Sequence, residues 1–223
     1  MRVLILGGTG PSGLLLIQTA LAASHTVIIY ARSPHKLPES ITSNTSIIVI
    51  KGELTDADEL SKAMETGVHA VISALGPQAS LMSWKYPRNT PLAEGYKVVL
   101  EVMKRYNVKR LIALGTPSMK DPNDKFDLVM KGLITGVAVG ANGAYRDIVA
   151  IGEVIRGDEE LLWTIARVPL LTNDEGKEFV VGYVGDGPVK GKYKLSRAAW
   201  AAFVVGELEK NEWVKAAPLV TSP

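Results

Sequence analysis

Apolar residues are distributed along this chain in two alternating rhythms. Nearly continuous apolar runs near 2–6, 26–30, 46–50, 69–74, 109–115 and 162–167 predict strands. Between them, segments near 11–23, 56–65, 91–106 and 145–156 repeat their apolar positions every three or four residues and predict helices. A run such as Val68-His69-Ala70-Val71-Ile72-Ser73 shows little in-out alternation, as expected of a strand covered on both faces. The pattern predicts an α/β fold, a doubly wound parallel sheet, and 223 residues suit a single domain over 1–223. Thr55-Asp56-x-x-Glu59 and Thr90-Pro91-x-x-Glu94 have the composition of helix starts, so their acids are assigned to capping rather than to chemistry. Near the C-terminus, Gly185-Asp186-Gly187-Pro188 predicts a hairpin and Tyr193 a strand. Ser196 opens a predicted helix whose Ala199, Trp200, Phe203 and Val204 face the core, where Trp163 is also expected.

The rhythm breaks at 76–90 and 117–144, each after a strand's carboxyl end, where ligands bind in open α/β sheets; with 170–192 these are the expected pocket walls. Trp84 and Tyr86 in the first stretch fit either stacking on a planar substrate or packing of the loop. Val129 to Ala144 is apolar and rich in glycine, which weakens a helix; it fits either a lid or a subunit contact.

Candidate chemistry begins at the first strand. Val3-Leu4-Ile5-Leu6-Gly7-Gly8-Thr9-Gly10-Pro11-Ser12-Gly13 runs from strand through a glycine turn into a helix, the arrangement that holds a dinucleotide pyrophosphate. Gly7 and Gly8 supply the tight turn, Gly10 lets backbone approach the phosphates, and Gly13 allows helix to meet strand. Pro11 suits a first helical turn, whose free N–H groups and positive dipole end face the phosphates. A rival phosphate loop would need Lys and then Ser or Thr after Gly13, where Leu14 and Leu15 stand. At the end of the second strand, Tyr30-Ala31-Arg32-Ser33 lacks the carboxylate that accepts from an NAD ribose. Arg32, helped by Ser33 and Lys36, suits a 2′-phosphate instead, so NADP(H) is the expected coenzyme.

Composition narrows the partners. A net charge of +2 from 25 basic and 23 acidic residues gives no broad field for nucleic acid. With no cysteine, disulfides and thiolate chemistry are excluded, and His25, His35 and His69 have no partner at metal-ligand spacing, so no metal site is expected. A first strand at residue 2 or 3 leaves no room for a secretory leader, and the apolar runs fall short of the roughly 20 residues that span a bilayer. A cytoplasmic monomer or homodimer acting on a small molecule, with no membrane or nucleic-acid partner, is the expectation.

Ile5 to Gly13, Ala31-Arg32-Ser33, Gly52-Glu53-Leu54-Thr55-Asp56, Val71-Ile72-Ser73-Ala74-Leu75-Gly76 and Trp163-Thr164-Ile165-Ala166-Arg167-Val168-Pro169 together resemble the atypical short-chain dehydrogenase/reductases, over nearly the whole chain. Their order is similar to that of the branch holding biliverdin-IXβ/flavin reductase-like and nitrogen-metabolite-repressor-like NAD(P)-binding proteins, including small fungal proteins. The resemblance implies a Rossmann-like fold, with Thr9, Pro11, Ser12 and Gly13 at the phosphates and Arg32 at the 2′-phosphate. It further implies Glu53 and Leu54 beside adenine, Ala74, Leu75 and Gly76 at the ribose and nicotinamide, and Pro169 and Leu170 by the carboxamide. Family reductases pair Ser with Tyr-x-x-x-Lys; here Thr116 stands near the Ser position with Ser118 close by, and Tyr145 near the Tyr, but Val149 occupies the Lys place. Without that cation Tyr145 is a weak proton donor, which disfavours alcohol dehydrogenation. Hydride transfer to a planar, conjugated acceptor such as a quinone, flavin or enone survives the loss, because it needs chiefly positioning. A redox sensor without turnover and a biosynthetic isomerase or dehydratase are the alternatives.

Overall fold

In the computed structural model, which describes residues 1–77 and 86–223, the elements in chain order are β1 (Arg2–Leu6), α1 (Pro11–Ala22), β2 (Thr26–Ala31), α2 (Glu39–Thr42), β3 (Ile47–Lys51), α3 (Ala57–Glu65) and β4 (Ala70–Ser73). There follow α4 (Pro91–Arg105), β5 (Arg110–Gly115), α5 (Leu128–Gly140), α6 (Asn142–Arg156), β6 (Leu162–Arg167), β7 (Leu171–Thr172), β8 (Val180–Gly182), β9 (Leu195–Ser196), α7 (Arg197–Lys210) and β10 (Leu219–Thr221). The main sheet has eight strands in the order β3-β2-β1-β4-β5-β6-β10-β8, parallel except for β8.

Successive side chains of a strand point to opposite faces, and both faces are apolar here. Leu4, Leu6, Ile28, Val71, Leu111 and Ile165 pack under α3, α4 and α6. Val3, Ile5, Val27, Ile29, Ile72 and Ala166 pack under α1 and α7, where Trp200 is fully buried. At the amino edge of the sheet, the buried Arg110 pairs with Glu207 of α7 at 2.8 Å, and Glu207 also accepts from Trp213 N at 2.9 Å. That network serves the closure of the fold, at the sheet edge opposite the strand carboxyl ends.

Leu6 pairs with Tyr30 on one side and Ser73 on the other, Ala31 with Lys51, Ser73 with Ala113, and Gly115 with Arg167, so six parallel strands end along one edge. The order reverses direction between β1 and β4, which opens a crevice at that edge.

Two local expectations are corrected. Gly185 to Pro188 is not a hairpin: β8 pairs antiparallel with β10, Leu219 opposite Gly182, and the turn runs into a 3-10 turn at Gly187–Val189. Tyr193 lies outside any strand; β9 begins at Leu195 and pairs parallel with β7. Most of Val129 to Ala144 is helical despite its glycines, because Asp127 caps α5 through Met130 N at 2.8 Å and Met130 and Ile134 pack on Val184, Val189 and Tyr193. Much of α5 remains exposed, with Leu128 at 73% and Val139 at 80%. Trp84 lies outside the described residues.

Candidate functional site

The glycine turn is built as its sequence requires. Gly7 has φ of +78°, and a Cβ there would lie 3.0 Å from the Ala74 carbonyl carbon, so the turn abuts the loop after β4. At Gly13 a Cβ would meet Gly7 O at 2.2 Å and Gly8 Cα at 2.7 Å, so the first turn of α1 rests directly on the strand end. Gly10 differs: its φ is −87°, and a Cβ would touch only Gly7 O, at an ordinary 3.6 Å. Neither backbone angle nor surroundings demand glycine at Gly10. A helix would gain from Ser, Thr or Asp at this cap position. The open side at Gly10 therefore suits the close approach of a ligand, which a Cβ would obstruct. The first turn of α1 also lacks acids and a side-chain cap, which leaves its amides for an anion.

Arg32 and Lys36 are exposed and Ser33 half-buried immediately after β2, on the same edge as the glycine turn. Beside them the turn after β3 is held by Tyr30, whose hydroxyl donates to Glu53 O at 2.8 Å; burial pushes this hydroxyl's pKa up, with nearby Asp56 adding to it. A Cβ on Gly52 would strike that hydroxyl at 2.1 Å. Glu53 is exposed, whereas Leu54 packs against Gly95 of α4, so its side chain serves the core as well as this edge.

After β4, Ala74 N donates to Leu6 O at 2.9 Å and Leu75 N to Ser73 Oγ at 3.3 Å. Ser73 Oγ also accepts from the fully buried Tyr96 at 2.6 Å, whose pKa burial pushes up to about 12. Ala74 and Leu75 are half-buried and Gly76 exposed. Thr90 does not cap α4: it is left-handed at φ of +48° with no side-chain bond into the helix. Asp147 of α6 does this instead, accepting from Leu92 N at 3.0 Å, Ala93 N at 2.9 Å and Tyr86 Oη at 2.6 Å. Tyr86 is thereby packed into the fold, one of its two expected readings. With its first turn occupied by an internal carboxylate, α4 leaves the anion position to α1.

Beyond β5 and β6, Val168 N donates to Gly115 O at 3.0 Å, which sets Thr116 beside Val168 and Pro169. Thr116 Oγ1 accepts from Ser118 N at 3.3 Å and keeps its proton and a lone pair for a ligand. Ser118 is buried, Pro169 half-buried, and Leu170 56% exposed. Asp124 forms a two-pronged ion pair with the fully buried Arg167, at 2.7 and 2.8 Å, and accepts from Val184 N at 3.1 Å. Arg167 also donates to Met119 O at 3.1 Å and Ala217 O at 2.6 Å, so it ties the chain after β5 to the carboxyl edge.

Tyr145 is half-buried in the first turn of α6, and its hydroxyl bonds to no described residue. Val149 stands one turn further along the same side of the helix. Sequence reasoning missed Asp147, although counting back by fours from Ile155 and Ile151 on the buried stripe of α6 lands on it.

The sequence matches the NAD(P)H-binding family over residues 7–211, from the glycine turn to the end of α7. The chain belongs to that family. Its fold is shared by a short-chain dehydrogenase/reductase of Veillonella parvula, 19% identical, over 100% of this chain and 94% of that one with a TM-score of 0.80. Another structure from V. parvula, a short-chain dehydrogenase/reductase in complex with NADP, is 18% identical over the same shares with a TM-score of 0.76. A Rossmann-fold NAD(P)-binding protein of Shigella flexneri is 21% identical over 100% and 93%, with a TM-score of 0.70. Among the described residues no helix is long and apolar enough to cross a membrane.

Proposed function

We propose that this protein is an NADPH-dependent reductase of a planar, conjugated small molecule of the quinone, flavin or enone type, within the branch that holds biliverdin-IXβ/flavin reductase-like and nitrogen-metabolite-repressor-like proteins. The observation that carries the reading is Gly10, a glycine the chain itself does not need, between two that it does. Amides of the α1 first turn, with Thr9 and Ser12, hold the pyrophosphate, and Arg32, Ser33 and Lys36 hold the 2′-phosphate. Glu53 and Leu54 border adenine, Ala74, Leu75 and Gly76 border the ribose and nicotinamide, and Pro169 and Leu170 lie by the carboxamide. A fold relative in complex with NADP supports this use of the edge. When bound, the reduced coenzyme supplies a hydride. Thr116 and Ser118 orient the acceptor, and the hydroxyl of Tyr145 donates a hydrogen bond or a late proton from Oη. With Val149 in place of a lysine, Tyr145 lacks the lysine that assists it in the family's reductases, so acceptors that need little acid assistance are preferred. Stopped-flow loss of NADPH absorbance with flavins and quinones tests the activity; inactivity across a broad panel would contradict it.

Arg32→Ala is expected to weaken NADPH by roughly 10- to 100-fold, the equivalent of the 1.5–3 kcal/mol of a charged hydrogen bond, and NADH far less. Equal losses in parallel titrations would defeat the preference for the phosphorylated coenzyme.

A second reading draws on α5. Phe126 at 76% exposure and the apolar face beyond it suit a redox sensor that meets a protein partner through 117–144. Tight NADPH binding without turnover, together with sedimentation that differs between NADP⁺ and NADPH, would favour the sensor.

A further inference from the structure

A carboxylate with no exposure at all is held in the middle of this fold, and the way it is satisfied links two helices. Asp147 Oδ1 accepts from Ala93 N and Oδ2 from Leu92 N, while Tyr86 Oη adds a third bond to Oδ2. A local cap at Thr90 would hold α4 as well, so capping alone does not call for an acid 57 residues further along the chain. The two helices also meet where a Cβ on Gly143 would strike Tyr86 O at 2.6 Å, which fixes the start of α6 against the chain leading into α4. From α4 the connection continues: Tyr96 donates to Ser73 Oγ, and the same oxygen receives Leu75 N. At the other end Asp147 lies two residues from Tyr145.

We infer that Asp147 is a positioning residue, whose carboxylate sets the spacing between the loop Ala74–Gly76 and Tyr145 by fixing α4 to α6. Its consequence for coenzyme rests on the function proposed above; the mechanical link does not. In a carboxylate both oxygens accept from backbone N–H groups. Asparagine keeps the shape but, in either orientation, turns an NH₂ toward one of those N–H donors.

Amide hydrogen exchange on the full chain, read by NMR for Asp147→Asn and wild type, tests the link. The exchange of Leu75 and Tyr145 is expected to rise roughly 3- to 30-fold, the scale of a lost helix cap, along with that of Leu92 and Ala93. Tyr86→Phe, which leaves both capping bonds, is expected to give the same pattern at smaller amplitude and keeps the test alive if Asp147→Asn does not fold. Fluorescence titration is expected to show NADPH affinity falling in step with the change at Leu75. Faster exchange confined to Leu92 and Ala93, or a change at Leu75 with unaltered NADPH affinity, would overturn the inference. Wild type that binds no NADPH would instead contradict the proposed function, and the exchange pattern would still decide whether Asp147 couples the two segments.

Discussion

Gly10→Ala is expected to leave the protein folded and to weaken its hold on coenzyme. The new methyl touches only Gly7 O at 3.6 Å, and the φ of −87° suits alanine, so stability should stay within about 1 kcal/mol of wild type. The same methyl stands where a pyrophosphate must approach, and crowding of that kind costs roughly 1–3 kcal/mol, or about 5- to 150-fold in affinity. Gly13→Ala is the informative contrast. Its Cβ would meet Gly7 O at 2.2 Å and Gly8 Cα at 2.7 Å, both backbone, so α1 must shift off the strand end and both melting temperature and affinity should fall. Thermal melts beside NADPH titrations separate the two cases. If Gly10→Ala binds NADPH like wild type, the open side of the turn is not the phosphate site.

Asp124→Ala should be among the most destabilising single changes near the site. It leaves the fully buried Arg167 without its two-pronged partner, and breaking a buried pair by removing one member costs roughly 3–5 kcal/mol, against a typical total of about 5–15 kcal/mol. The effect has a defined pH dependence. Burial alone would raise the Asp124 pKa, but the hydrogen bonds and charge of Arg167, with the amides of Asp121 and Val184, outweigh it and hold the carboxyl below its ordinary value. A depressed carboxyl stabilises the fold fully above the unfolded value of about 3.9 and loses that contribution as pH falls through the folded value. Denaturant melts of wild type and Asp124→Asn should therefore differ most at neutral pH and converge in acid; a gap that is constant down to the acid limit would show that the pair is not the source.

The parallel core of this fold is legible in the sequence because each of its strands is a short, nearly unbroken apolar run. Thr26–Ala31, Ile47–Lys51 and Leu162–Arg167 fall within a residue of where the pattern predicts them. The C-terminal region is not legible in the same way. A three-residue strand such as Val180–Gly182 has no period to detect, and its partner Leu219–Thr221 lies far along the chain, so the glycine-rich turn between resembles a local hairpin in sequence. For α5, weak glycine propensity argued against a helix that tertiary packing of Met130 and Ile134 and the Asp127 cap sustain. At the candidate site, the glycine turn and Arg32 announce themselves by residue type and spacing. Asp147 and the Asp124–Arg167 pair do not: each is an ordinary charged residue until folding places its partner, 54 or 43 positions away, within hydrogen-bond reach.

The proposed function requires the glycine turn and Arg32 to hold an NADP coenzyme. Calorimetric titration of the purified wild-type protein with NADPH and NADP⁺ measures this most directly. Saturable uptake of one coenzyme per chain, with NADH bound more weakly, is the predicted result, and absence of binding by either NADP form at millimolar concentration would contradict it.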